Sequence, residues 1–142
     1  MNEPIWISGR LAIAIHHRQL AEHGGSEGIP DENLLESALA RARQLFAYDG
    51  VDVDLPSLAA TLAAGIAGNH PFIDGNKRIA AVACELFLEL NGFVLLADDA
   101  DMCPIFLGLA AGTTTEEDLT AWLRDLCRPE QVSEEAPSYY AE

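Results

Sequence analysis

His70, Asp74, Lys77 and Arg78 stand within one run of nine residues, His70-Pro71-Phe72-Ile73-Asp74-Gly75-Asn76-Lys77-Arg78. The run puts a base, a hard-metal ligand, a turn and two cations on one short link, which is an inventory for handling phosphate. An imidazole changes charge near neutrality, so His70 is suited to take the proton of an attacking hydroxyl. Asp74 supplies a compact carboxylate of the kind Mg²⁺ accepts beside nucleotide phosphates. Gly75 has no Cβ, which lets the chain turn sharply and lets an anion approach the main chain. The residues from Asn76 onward open a helix. Its free N–H groups and positive dipole end attract an anion even before Lys77 and Arg78 add their charges. Pro71 and Phe72 fit a scaffolding role, one fixing φ and the other anchoring the loop in the core.

Each residue alone has a plainer reading. His70 by itself reads as a helix-terminal histidine, Asp74 as a turn or N-cap residue, and Lys77 and Arg78 as a solvated helix start. The order of the set favours chemistry, because two cations at the positive end of a dipole are misplaced unless an anion lies between them.

The elements that hold this loop read as helices on both sides, with the apolar run Leu55 to Leu62 ahead and Ile79 to Leu88 behind. Ser8 caps a first helix that reaches about His23 and stops at Gly24-Gly25. Its adjacent His16 and His17 face different directions, one at the surface and one semi-buried, rather than forming a metal pair. Asp31 caps a second helix with Leu34, Leu35, Ala38 and Leu39 inward. Arg41 and Arg43, near its end, suit the dipole or serve a partner. Asp54 as N-cap with Pro56 just inside starts a third helix, closed by Asn69-His70. Its small residues, among them Ala60, Ala63, Ala64, Gly65 and Gly68, permit close approach by another helix. The fourth helix runs from about Asn76 to Leu90 and ends at Asn91-Gly92, with Phe93 to Leu96 a short extended piece. Asp98-Asp99 starts a fifth helix reaching Ala111, kinked or delayed by Pro104. A capping box on one of the threonines Thr113, Thr114 and Thr115 opens a sixth. The expected architecture is all-α, a single-domain helical bundle over residues 1–128 with the loop between two central helices. Residues 129–142 read as an acidic, disordered tail whose one sticky element is Tyr139-Tyr140.

The chain has 142 residues, 49% of them hydrophobic, enough for one domain with its own core. No segment reads as a transmembrane helix or signal peptide, so a soluble cytoplasmic protein is expected. A net charge of −15 argues against direct nucleic-acid binding, since phosphate backbones repel such a surface. Cys84, Cys103 and Cys127 are odd in number, widely spaced and set among apolar helical residues, which suits reduced core thiols.

The nonapeptide resembles the active-site motif of the Fic/Doc superfamily, and Lys77 within it resembles the death-on-curing (Doc) toxin branch. The likeness extends through Ile15 to Gly25, Asp31 to Ala40 and Leu86 to Gly92, covering approximately Ile5 to Arg128. It implies His70 as the base, Asp74 as the Mg²⁺ ligand, and Gly75, Asn76, Lys77 and Arg78 at the nucleotide phosphates of ATP. In Fic enzymes that transfer AMP the position of Lys77 is a glycine, which leaves room for phosphates against the backbone. In Doc-like proteins the nucleotide lies the other way round, and the scaffold acts as a kinase on a hydroxyl of elongation factor Tu, arresting translation. The resemblance thus implies a type II toxin-antitoxin system, with a cognate antitoxin whose disordered tail binds in a groove between helices, for which the small-residue third helix offers a place. AMP transfer, or a non-catalytic module that binds nucleotide or antitoxin, are the alternatives. Pro30 stands where the family usually carries an arginine, and Ile79 where threonine is frequent, the latter expected to face the core. Some Fic proteins carry an inhibitory helix of the form Ser/Thr-x-x-x-Glu-Gly/Asn. Thr113 and Glu117 match its spacing but Asp118 breaks the last position, which leaves inhibition to a separate protein.

Overall fold

A computed structural model describes residues 2–25, 30–49 and 52–130. Among the described residues there are six helices and one two-stranded sheet: α1 (Gly9–His23), α2 (Glu32–Asp49), α3 (Leu55–Asn69), α4 (Asn76–Leu90), β1 (Phe93–Leu95), α5 (Asp99–Ala111), α6 (Glu116–Leu126) and β2 (Cys127–Pro129). The fold is all-α, as the periodicity of the apolar residues indicates.

The helices begin where short polar side chains can satisfy their first free N–H groups. Ser8 Oγ accepts from the Leu11 N–H, Asp31 Oδ1 from Leu34, and Asp54 Oδ1 from Ser57, with Ser57 Oγ returning the bond to the Asp54 N–H. The same reciprocal box closes at Asp98 and Asp101 for α5 and at Thr115 and Asp118 for α6, so Thr115 is the threonine that caps.

Helix α3 is the hub, packed against α2, α4, α5 and α6. Leu58, Ala59, Ala60, Ala63 and Ile66 have no exposed surface. Its small residues serve α2: a Cβ at Gly65 would lie 2.8 Å from the Ala38 carbonyl oxygen, so glycine sets that crossing. At Gly65, one of the small residues expected to admit an antitoxin tail, the approach is made by this chain's own second helix, whereas Gly68 is exposed with nothing within 4 Å of where a Cβ would lie. Helix α4 contributes Ile79, Ala80, Ala83, Phe87 and Leu88 to the same core, with Ile79 facing inward as expected. Replacing a buried phenylalanine such as Phe87 by alanine costs about 3–5 kcal/mol in comparable cores.

Several local expectations need correcting. Leu34 is 39% exposed and lies outside the core formed by Leu35, Ala38 and Leu39. Arg41 and Arg43 sit in the middle of α2, since the helix runs on to Asp49, and they serve neither its dipole nor its end. Arg41 Nη2 instead pairs with Glu116 Oε1 on α6 at 2.8 Å, and Arg43 lies over the Trp6 ring, 5.9 Å from its centroid. His16 is fully buried rather than semi-buried, with His17 exposed as expected. Cys84 and Cys127 are buried free thiols, but Cys103 is exposed. Pro104 lies inside a continuous α5 and does not delay it, because Asp98 caps the helix six residues earlier. The extended piece after α4 acquires a partner the sequence did not reveal: β1 pairs antiparallel with β2, Phe93 opposite Pro129 and Leu95 opposite Cys127. The Glu130 N–H donates to the Gly92 carbonyl beyond that register. Residues 131–142, with Tyr139 and Tyr140, lie outside the described residues, as do Gly28 and Ile29.

Candidate active site

The nonapeptide joins the hub helix to α4, and each end of it is set by a backbone conformation that side chains normally avoid. His70 closes α3 in the left-handed region, φ 49° and ψ 54°, with its N–H donating to the Ile66 carbonyl. Helix ends of this shape usually carry glycine, and a β-carbon there costs roughly 1–2 kcal/mol. Among the described residues no other non-glycine residue has positive φ. The imidazole is thereby turned out of the helix and into an open cleft. Gly75, at φ 82°, makes the corresponding turn into α4 without strain.

Between these two turns the loop is held from three sides. Pro71 is fully buried, and its carbonyl accepts from the Asp31 N–H at 2.7 Å, which ties the loop to the start of α2. Phe72, 3% exposed, stacks on the buried His16 ring of α1, centroids 4.4 Å apart. Asn76 is 8% exposed and clamps the Phe72 main chain with both ends of its amide: Oδ1 accepts from the N–H at 3.0 Å and Nδ2 donates to the carbonyl at 2.7 Å. The side chain of Asn76 is thus committed to the loop. Its contribution to an anion site is its main-chain N–H, in the first turn of α4.

That first turn is open. No side chain caps α4, no acidic residue lies in the turn, and its exposed side chains are Lys77 and Arg78. The free first-turn N–H groups, the dipole and two cations converge at one place, an arrangement that favours an anion there. Asp74 is exposed beside it, with Oδ1 accepting from the Gly75 N–H at 2.8 Å and Oδ2 directed toward Gly25. The described residues contain no group of three or more His, Cys, Asp or Glu that would cage a metal. A single carboxylate next to an anion site suits Mg²⁺, which is commonly held by one or two carboxylates together with substrate phosphates.

All six residues singled out by the motif, His70, Asp74, Gly75, Asn76, Lys77 and Arg78, line one cleft of about 890 Å³. The remaining walls come from segments that carry no chemical motif of their own. Helix α1 contributes Gln19, Glu22 and His23, followed by Gly24 and Gly25, while α5 adds Asp99, Met102, Cys103 and Phe106. Glu85, also in the wall, is the one with a readable signal, because it lies seven residues beyond Arg78 and so on the same face of α4. Burial, and then the charges of Glu89 and Asp99, push its carboxyl above the ordinary range. The cleft therefore has a cationic floor at α4's first turn and an acidic shoulder two turns along.

Sequence comparison agrees with what this geometry suggests. The Fic/DOC family model matches residues 6–88, from the N-terminal segment through the loop and nearly all of α4. Toxin Doc of Mycolicibacterium smegmatis is 45% identical over 78 residues, which is 53% of this chain and 58% of that protein. The chain thus spans less than two thirds of the length of that relative. With more than half of its residues under one family model, and the loop among them, this chain belongs to the Fic/DOC family.

Proposed function

We propose that this chain is a Doc-like toxin that transfers the γ-phosphate of ATP to a hydroxyl of a cytoplasmic protein, with elongation factor Tu as the substrate, and so arrests translation. The observation that carries the proposal is the pairing, in one cleft, of an outward-turned His70 with an uncapped helix start that bears Lys77. His70 would take the proton that the acceptor hydroxyl gives up. The first turn of α4, with Lys77 and Arg78, receives the phosphates. Asp74 would hold Mg²⁺, whose chemistry is to neutralise charge on the transferring group. Lys77, at the start of α4, would attract the most highly charged end of ATP, which favours presenting the γ-phosphate over the α-phosphate. The relative's name, Toxin Doc, supports a toxin role and with it a cognate antitoxin.

The test is transfer of label from ATP, carried at either the α- or the γ-phosphorus, to elongation factor Tu, with the mass gain of the target measured. One added phosphate, lost by about 10²- to 10⁴-fold in His70→Ala, is the expected result. One added adenylyl group means AMP transfer. ATP binding with neither product, across a broad set of cytoplasmic proteins, leaves a regulatory module as the better reading. Lys77→Gly should lower phosphate transfer by removing a charge from the transferring group's surroundings.

A further inference from the structure

Two helix ends of opposite polarity meet at Asp74. Helix α4 starts at Gly75, on one side, and contributes the positive end of its dipole. On the other side α1 ends at Gly24 and contributes the negative end of its own, and the chain passes Asp74 at Gly25. The two glycines after α1 have different demands on them. Gly24, at φ 75°, has nothing within 4 Å of where a Cβ would lie, and its N–H closes the helix on the Leu20 carbonyl. Gly25, at φ 126°, has the Asp74 carboxylate against it: a Cβ there would fall 2.9 Å from Oδ2 and 3.6 Å from Cγ, with Leu20 Cδ2 at 3.1 Å. Both positions favour glycine for backbone reasons, but only at Gly25 would a side chain fill the space in front of the carboxylate oxygen that Gly75 does not engage.

We propose that Gly25 is a positioning residue for Asp74, and that the missing side chain keeps open the room in which the Asp74 carboxylate and a divalent cation come together, with the C-terminal pole of α1 as the opposite wall. The inference rests on the Mg²⁺-dependent reading of this cleft. In that reading phosphate lies toward α4 and the cation toward α1, so the helix poles sort the charges of a metal–nucleotide complex. A methyl group at Gly25 would push Oδ2 aside or occupy the cation's hydration space. Either loosens metal binding without touching the phosphate side.

Mn²⁺ binding, titrated by electron paramagnetic resonance in the presence of a non-hydrolysable ATP analogue, reads this directly. Gly25→Ala should weaken Mn²⁺ binding by about 10-fold or more, the range for residues that orient a metal ligand. Gly24→Ala, which meets the same kind of backbone strain, should stay within about twofold. In an Asp74→Asn background Gly25→Ala should add no further loss, since the two substitutions then act on one interaction. Unchanged Mn²⁺ affinity in Gly25→Ala, or equal losses in both glycine variants, overturns the proposal. If Gly25→Ala does not fold by circular dichroism, the same titration on Leu20→Ala/Gly25→Ala, measured against Leu20→Ala, decides with the Leu20 contact removed. No Mn²⁺ uptake by the unaltered protein with the analogue present overturns the metal-dependent reading itself, and this inference with it.

Discussion

Five of the six helices among the described residues begin under a side-chain cap, and α4 does not. Ser8, Asp31, Asp54, Asp98 and Thr115 each accept a bond from the first turn of their helix. At α5 and α6 the first turn also carries acidic residues that suit the positive pole. Helix α4 reverses every one of these choices, with glycine in the cap position and Lys77 and Arg78 where acids belong. The contrast separates helix starts that complete themselves from one that is completed by something else. A cap is worth about 1 kcal/mol, so an open start is a local cost that the packed core covers.

The largest effect should come from giving α4 the charge its neighbours have. Lys77→Glu should weaken ATP binding by about 10- to 100-fold, the range for losing a charge-assisted bond. The same change should raise unfolding stability, or leave it level, by up to about 1 kcal/mol, because an acid now sits at the positive pole. Calorimetric titration and chemical denaturation at about 0.15 M salt measure the two. Loss of both affinity and stability would mean that Lys77 supports the fold, and the contrast between the two kinds of helix start would fail.

The complementary change strips a completed start. Asp54 caps α3 and receives Arg124 at 2.8 Å, a pair at the surface on both sides. Asp54→Ala should cost about 1–2 kcal/mol of stability, most of it the cap, and leave ATP affinity within about twofold. Burial alone would raise the Asp54 carboxyl, but hydrogen bonds from Arg124 and Ser57 and the charge of Arg124 outweigh it and hold the group below its ordinary 3.8. Its contribution is therefore complete above that value and is lost as pH falls through the lower, folded-state value. The gap between the variant and the unaltered protein should be constant from neutral pH down to about 4 and should narrow below it. A gap that widens on acidification would contradict the assignment.

The smallest effect is on the acidic shoulder of the cleft. Glu85 titrates above its ordinary 4.5, so the folded state holds the proton more tightly than the unfolded chain. Below 4.5 there is no penalty, and it grows as pH rises toward the folded-state value and is complete beyond it. Because Glu85 is only partly buried and solvent screens its neighbours, Glu85→Gln should stabilise the protein by no more than about a few tenths of a kcal/mol at neutral pH and by nothing near pH 4. Equal melting temperatures for the two proteins at both pH values would remove Glu85 from the set of sites where the cleft departs from the rest of the surface.

What could be read from the sequence follows the range of the interactions. Caps and glycine stops depend on residues three or four apart, and the six described helices start where their local signals put them, although α2 runs on past Arg43 to Asp49. The motif residues were legible for the same reason, since His70 to Arg78 is one contiguous run. Partners distant in the chain were not. Arg41 finds Glu116 on another helix, and three-residue β2 with its Pro129 gives no strand signal apart from β1. Gly25 reads as part of a helix stop, because nothing in its neighbourhood announces a carboxylate 49 positions further on. Cys103 was expected inside because its neighbours are apolar, but α5 turns that face to the cleft.

The Asn76 clamp bears on how related chains should be judged for activity. A carboxamide offers an acceptor and a donor on two separate atoms, whereas an ionised aspartate only accepts and could not hold both the N–H and the carbonyl of Phe72. A descendant that had given up chemistry and kept the fold would still need asparagine at this position. His70 is under the opposite pressure: its left-handed backbone would relax with glycine, and nothing in the packing asks for an imidazole. If the proposed phosphate transfer holds, the histidine is the marker of activity, and the asparagine marks only an intact loop.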